Sequence, residues 1–106
     1  MPKYLFEVDY SAEGTRGLVK DGGSKRRRAV EQSIKSVGGK MEAFYFTFGT
    51  RDAIVIAELP NNVAAVSLSL AVSASGAVAY QTTPLISPAE VDRAVKRKVA
   101  YRPPKA

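Results

Sequence analysis

Arg51 and Asp52 lie side by side in a polar stretch, Gly49-Thr50-Arg51-Asp52, between two apolar runs. A carboxylate beside a guanidinium can orient a ligand or take a proton while the cation holds an anion. The plainer alternative is a turn aspartate accepting backbone amides, next to a solvated arginine. A second group is Gly22-Gly23-Ser24 followed by Lys25, Arg26, Arg27 and Arg28. Glycines and a hydroxyl ahead of four cations suit an anion at a helix start. The full spacing of a nucleotide loop is missing, and ion pairs with acidic neighbours explain the same run without a ligand. Tyr4, Tyr45 and Tyr80 form a third group. They could line a cavity over a sheet and hydrogen-bond a small organic ligand, or pack in a core or interface with the hydroxyl at its rim. Glu7 and Asp9 become candidate acids or bases if their strand face lines a pocket; otherwise they are exposed strand charges.

The residue types that are missing narrow the chemistry. The 106-residue sequence has neither cysteine nor histidine. Disulfides, thiolate metal sites and cysteine nucleophiles are excluded, and so is a Ser-His-Asp triad. A zinc or haem site of the usual kind is not expected, and no cofactor is implied. The formal charge of +6 suggests nucleic acid at first sight. Up to Asp92, however, acids and bases balance. The excess comes from Arg93, Lys96, Arg97, Lys98, Arg102 and Lys105. A basic tail can contact phosphates or simply aid solubility, and only Tyr101 interleaves with these cations. The start, Met1-Pro2-Lys3-Tyr4, runs directly into a strand-like segment with no basic-then-apolar leader, so a cytoplasmic location is the expectation.

The elements that must position these groups follow from periodicity. Residues 3–10 alternate, with Tyr4, Phe6, Val8 and Tyr10 on one face and Leu5, Glu7 and Asp9 on the other, which predicts a half-buried strand. Residues 11–23 predict a short helix from an N-cap at Ser11 to a stop at Gly22-Gly23. Ser24 is the expected cap of a second helix, whose face carries Val30, Ile34 and Val37. Residues 40–48 and 53–59 predict a β-hairpin whose first strand is largely apolar on both faces and whose second is a β-branched run. A helix from Asn61 or Asn62 to about Ser75 has no charge and many small residues, which predicts burial on most sides. It is too short for a membrane span. Residues 77–86 predict a fourth strand, with Pro84 near an edge. Ser87-Pro88-Ala89-Glu90 reads as a capping box opening a last helix to about Lys98.

The resulting order, β-α-β-β-α-β plus a terminal helix, predicts an α+β, ferredoxin-like fold: a four-stranded antiparallel sheet with helices on one face. Residues 1–92 make the expected domain, and 93–106 the basic end of the last helix and the tail. Because the hairpin strands are apolar on both sides, the open face needs a cover. A second copy of the chain is the expected partner, making a homo-oligomer.

Four stretches carry a family resemblance: Gly22-Gly23-Ser24-Lys25-Arg26-Arg27, Phe44 to Gly49, Ser69 to Val78, and Leu85 to Asp92. Together they resemble the GYD-domain family from Tyr4 to Asp92. The resemblance implies a small bacterial protein of ferredoxin-like fold, related to the dimeric α/β barrel group, with no assigned function. The family takes its name from a Gly-Tyr-Asp type of turn. Here Gly49 and Asp52 match it, while Arg51 stands at the tyrosine position.

Three functions compete at this level. One is an oligomeric ligand-binding or assembly module. The second is a cofactor-free enzyme of the dimeric-barrel type, monooxygenase- or isomerase-like, which needs a sizeable cavity lined by tyrosine and a carboxylate. The third is an RNA-binding module, suggested by the element order and Phe44-Tyr45-Phe46. It is disfavoured by the neutral domain and the missing basic-glycine-aromatic strand signature.

Overall fold

A computed structural model describes residues 1–105. The chain runs β1 (Lys3–Tyr10), α1 (Ala12–Asp21), α2 (Gly23–Ser36), β2 (Lys40–Phe46), β3 (Ala53–Glu58), α3 (Asn62–Ala74), β4 (Val78–Leu85) and α4 (Pro88–Val95). The strands form one antiparallel sheet in the order β2-β3-β1-β4. This is the ferredoxin-like arrangement expected from the sequence, with α1 and α2 together making the first crossover.

The pleat of β1 sorts the molecule into two faces. Tyr4 and Phe6 point to the helices, where they form the core with Ile34, Met41, Val55, Ala57, Leu59, Ala65 and Leu68. Ile34 and Leu59 are the largest fully buried side chains, each worth about 1.5–3 kcal/mol of burial. α2 packs on β2 and α3 on β4, the two edge strands. Pro84 lies on edge strand β4, where a missing amide donor is tolerated.

Caps explain most boundaries. The Ser11 side chain accepts from Gly14 N–H, and the Asn61 side chain accepts from Ala64 N–H. Ser87 and Glu90 form the reciprocal capping box, with Pro88 opening α4. Ser24 does not cap α2. Gly22, at φ 80°, ends α1 and starts α2 with no side-chain cap, and Ser24 falls inside the first turn. The positive φ lets one residue serve both helix ends. β2 stops at Phe46 because Thr47 and Phe48 turn inward to donate their amides to Asp52 O, with Phe48 held at φ 46°. α4 ends at Val95, short of Lys98.

α3 also departs from expectation. Only Ala65 and Leu68 are buried, while Val63, Val66 and Leu70 stay exposed. One face meets the sheet, and among the described residues no element lies above the other. α4 and the segment after it project as an arm. Ile86, Val91, Val95, Val99 and Tyr101 are exposed. The radius of gyration is 16.9 Å, against about 13 Å for a compact chain of this length.

α1 is pressed against the loop before β4. Ser11 N–H and Oγ–H both donate to Ala77 O, at 3.0 and 3.1 Å. A β-carbon on Gly14 would strike that same carbonyl. Gly14→Ala is therefore expected to cost about 2–3 kcal/mol as backbone overpacking and to lower Tm by roughly 10 °C or more in a thermal melt. A second expectation concerns acid. Hydrogen bonds from the Ser87 backbone, then its side chain, hold the Glu90 carboxyl below the ordinary glutamate range, with a smaller contribution from Arg93. A depressed carboxyl stabilises the fold above its unfolded pKa, and that support is lost as pH falls through the folded value. On acidification, amide exchange at the start of α4 is expected to speed up before exchange in the sheet does.

Candidate functional site

Between the sheet and the two helices lies a cavity of about 100 Å³. Phe6 and Val55 of the two central strands, Val30 of α2 and Val72 of α3 are among its walls, and Tyr10, Arg26, Ser33 and Tyr80 are its polar side chains. A groove of about 330 Å³ between α2 and α3 shares Arg26, Ser33, Leu68 and Val72 with it. Arg26 thus stands at the boundary between an apolar chamber and a polar entrance.

Two of these, Arg26 and Tyr80, are unusual. Arg26 precedes Val30 by one helical turn and Ile34 by two, so helix geometry puts a cation at the head of the apolar stripe. Its Nε is buried without a hydrogen-bond partner, as is Tyr80 Oη. Among the described residues no carboxylate forms a salt bridge with Arg26. Burial pushes the Tyr80 hydroxyl above its ordinary pKa, with nearby Ser69 pulling the other way. No hydrogen bond reaches Tyr80 Oη, and the Ser69 hydroxyl donates instead to Ala65 O at 3.0 Å and faces Thr82. A buried unpartnered polar group costs about 1–3 kcal/mol, more when charged.

The other tyrosines go elsewhere. Tyr4 is on the helix-bearing face, and its hydroxyl donates to Asn62 Oδ1 at 2.6 Å. Tyr45 is on the opposite face and largely exposed. The structure therefore brings Tyr4 and Tyr80 to one side of the sheet and leaves Tyr45 on the other.

Arg51 folds onto the helix-free face. Its Nη1 donates to Asp9 Oδ2 at 2.7 Å, its Nη2 donates to Gln81 Oε1 at 2.8 Å, and its Nε lies 3.7 Å from Glu7. Glu7 and Asp9 are on β1 and Gln81 on neighbouring β4, so the arginine ties two strands together. Asp52 is not part of this cluster. Its Oδ2 accepts Tyr10 N–H at 2.9 Å, and its own N–H donates to Val8 O at 2.9 Å. It fastens the β2–β3 turn to the end of β1.

The cation run divides too. Lys25 pairs with Asp21 at 3.5 Å across the α1–α2 junction and Arg27 with Glu31 at 3.8 Å one turn along α2, both near the surface. Such pairs contribute at most a few tenths of a kcal/mol each. Ser24 and Arg28 are exposed. Arg26 alone turns inward. The spacing 26, 30, 34 contained this signal, but it is masked when four consecutive cations are read as one cluster. Among the described residues no group of acids could hold a metal ion.

The sheet order, the paired crossovers and the cavity between sheet and helices define a ferredoxin-like α+β protein. The GYD domain model matches residues 4–95, and the chain belongs to that family. No curated protein matches the sequence.

A comparison of two tyrosines checks the burial argument. Tyr80→Phe removes an unpartnered hydroxyl and is expected to leave stability unchanged or raise it by up to about 1 kcal/mol. Tyr4→Phe strands Asn62 and is expected to cost about 1 kcal/mol. Urea denaturation of the two variants distinguishes these outcomes.

Proposed function

We propose that the chain is a ligand-binding module that works as a homo-oligomer, its domain spanning residues 1–92 and its basic tail 93–106. The observation that carries the reading is the apolar cavity whose lining includes two half-buried polar side chains, each with one buried, unpartnered atom. Native proteins satisfy nearly all such groups, with protein or with water, and a ligand with a polar end in this cavity would supply partners to both. The enzyme alternative fares less well. Its lining tyrosines are present in Tyr10 and Tyr80, but the chamber is small and no carboxylate lines it, so no acidic side chain there is placed to abstract a proton. The RNA alternative needs exposed aromatics on the open sheet face. Phe44 and Phe46 share a face with the helices, and Tyr45 is the one aromatic side chain on the open face of β2.

Assembly is supported by the opposite face. Leu5, Ala43, Tyr45, Ile54 and Ile56 make an apolar belt between the Lys3–Glu42 ion pair at one end and the Arg51 cluster at the other. Among the described residues no helix covers this belt. α4, of eight residues, is too short to be stable alone in water, so its projecting arm also calls for a partner surface. A second copy supplies both, in the manner of a dimeric α/β barrel.

Two measurements test the proposal. In multi-angle light scattering the protein is expected to run as a dimer or larger at micromolar concentration, and Ile54→Lys with Ile56→Lys is expected to return it to monomer. A wild-type monomer at high micromolar concentration overturns the assembly. For the cavity, benzene-saturated buffer is expected to raise Tm by a few degrees through linkage. Filling the chamber with Val72→Phe is expected to abolish that rise. An unmoved wild-type Tm counts against the cavity.

A further inference from the structure

We propose that the cavity takes a small organic monocarboxylate, a single ring or short branched chain whose carboxylate is held by Arg26. This rests on the ligand-binding reading above and adds the charge and size of the ligand. The size follows from the volume. A dry apolar cavity of about 150 Å³ admits benzene, and this chamber, at about 100 Å³, opens to the groove at Arg26. The chamber alone is smaller than that benzene site, so the apolar body would fill it and extend into the mouth of the groove, with the charged end at Arg26.

The charge follows from the donors. A guanidinium edge made of Nε–H and one Nη–H matches the two oxygens of a carboxylate. In Arg26 the Nε of that edge is the buried atom without a partner. The other three cations of the run are exposed, and two of them are paired with acids. One inward cation matches one negative charge. The groove discourages a second. Ser33, Ser36, Ser67 and Ser75 donate their hydroxyl protons to carbonyls of their own helices, so they present lone pairs to its contents. A phosphate dianion needs more donors than this entrance offers. Tyr80, lining the same chamber, supplies an unused hydroxyl for a ligand oxygen.

The test uses the full chain with methyl-labelled valine and leucine, titrated with benzoate and with benzamide, its neutral counterpart of the same shape. Benzoate is expected to shift the Val30, Leu68 and Val72 methyls saturably and to bind at least tenfold tighter than benzamide. Arg26→Gln is expected to erase that preference, and Arg26→Lys, which keeps the charge without the fork, to retain part of it. Tyr80→Phe is expected to weaken benzoate severalfold with the preference intact. Equal binding of the two probes by the wild type overturns the carboxylate assignment and leaves the cavity reading standing. A preference that survives Arg26→Gln overturns the role of that arginine. If neither probe moves the methyls, both readings fall. Folding of each variant is checked by its sheet amide spectrum.

Discussion

The two crossover helices stand over the two edge strands, and the distance between those strands governs most of what the molecule can do. α2 rests on β2 and α3 on β4, with β3 and β1 between them. Three strand spacings amount to roughly 14 Å, whereas packed helices sit about 8–10 Å apart. The helices cannot meet over the centre of the sheet unless large side chains bridge them. α3 offers alanine, serine, valine and leucine, and α2 offers Arg26, Val30 and Ser33. The space above Phe6 and Val55 therefore stays partly open.

The same geometry explains where an arginine can be tolerated on an apolar stripe. At the position of Ile34 a guanidinium would enter the closed core, at a desolvation cost of several kcal/mol. Two turns earlier, at the mouth of the cleft, the stem of Arg26 packs while part of the head keeps its water. Within the chain itself the buried Nε and the Tyr80 hydroxyl have no partner and so cost stability. A core that retains two such groups in a small chain gives up free energy that a leucine or phenylalanine would supply. That is the usual signature of a site set by binding rather than by folding.

How far the sequence revealed this depends on which force each element obeys. β1, the hairpin and the capping box of α4 were legible because alternation, turn chemistry and caps act locally. The Ser11 and Asn61 caps were legible for the same reason. Ser24 was misread because Gly22 can close one helix and open the next, a backbone conformation that competes with side-chain capping. α3 looked buried because its composition is apolar all round, yet burial depends on what lies above it, and none of the described residues lies there. Arg51 and Asp52 are adjacent in sequence but diverge in space. Asp52 points to the backbone of β1 and Arg51 crosses the sheet to Asp9 and Gln81. Arg26 was legible by spacing and hidden by its company of cations.

The two faces of the sheet are linked through β1. Phe6 forms part of the cavity floor, and its neighbour Glu7 faces Arg51 on the far side. Arg51 also grips Gln81, one residue from Tyr80. The strands carrying Phe6 and Tyr80 are thus cross-tied from the helix-free face, and Asp52 pins the end of β1 to the hairpin turn. Covering that face would withdraw the Arg51 cluster from water. Its hydrogen bonds would strengthen in the lower dielectric while their geometry grew less forgiving. The floor of the chamber would then be held from behind by groups that never touch its contents. Arginine suits this task because a planar fork can reach an acid on β1 and an amide on β4 at once.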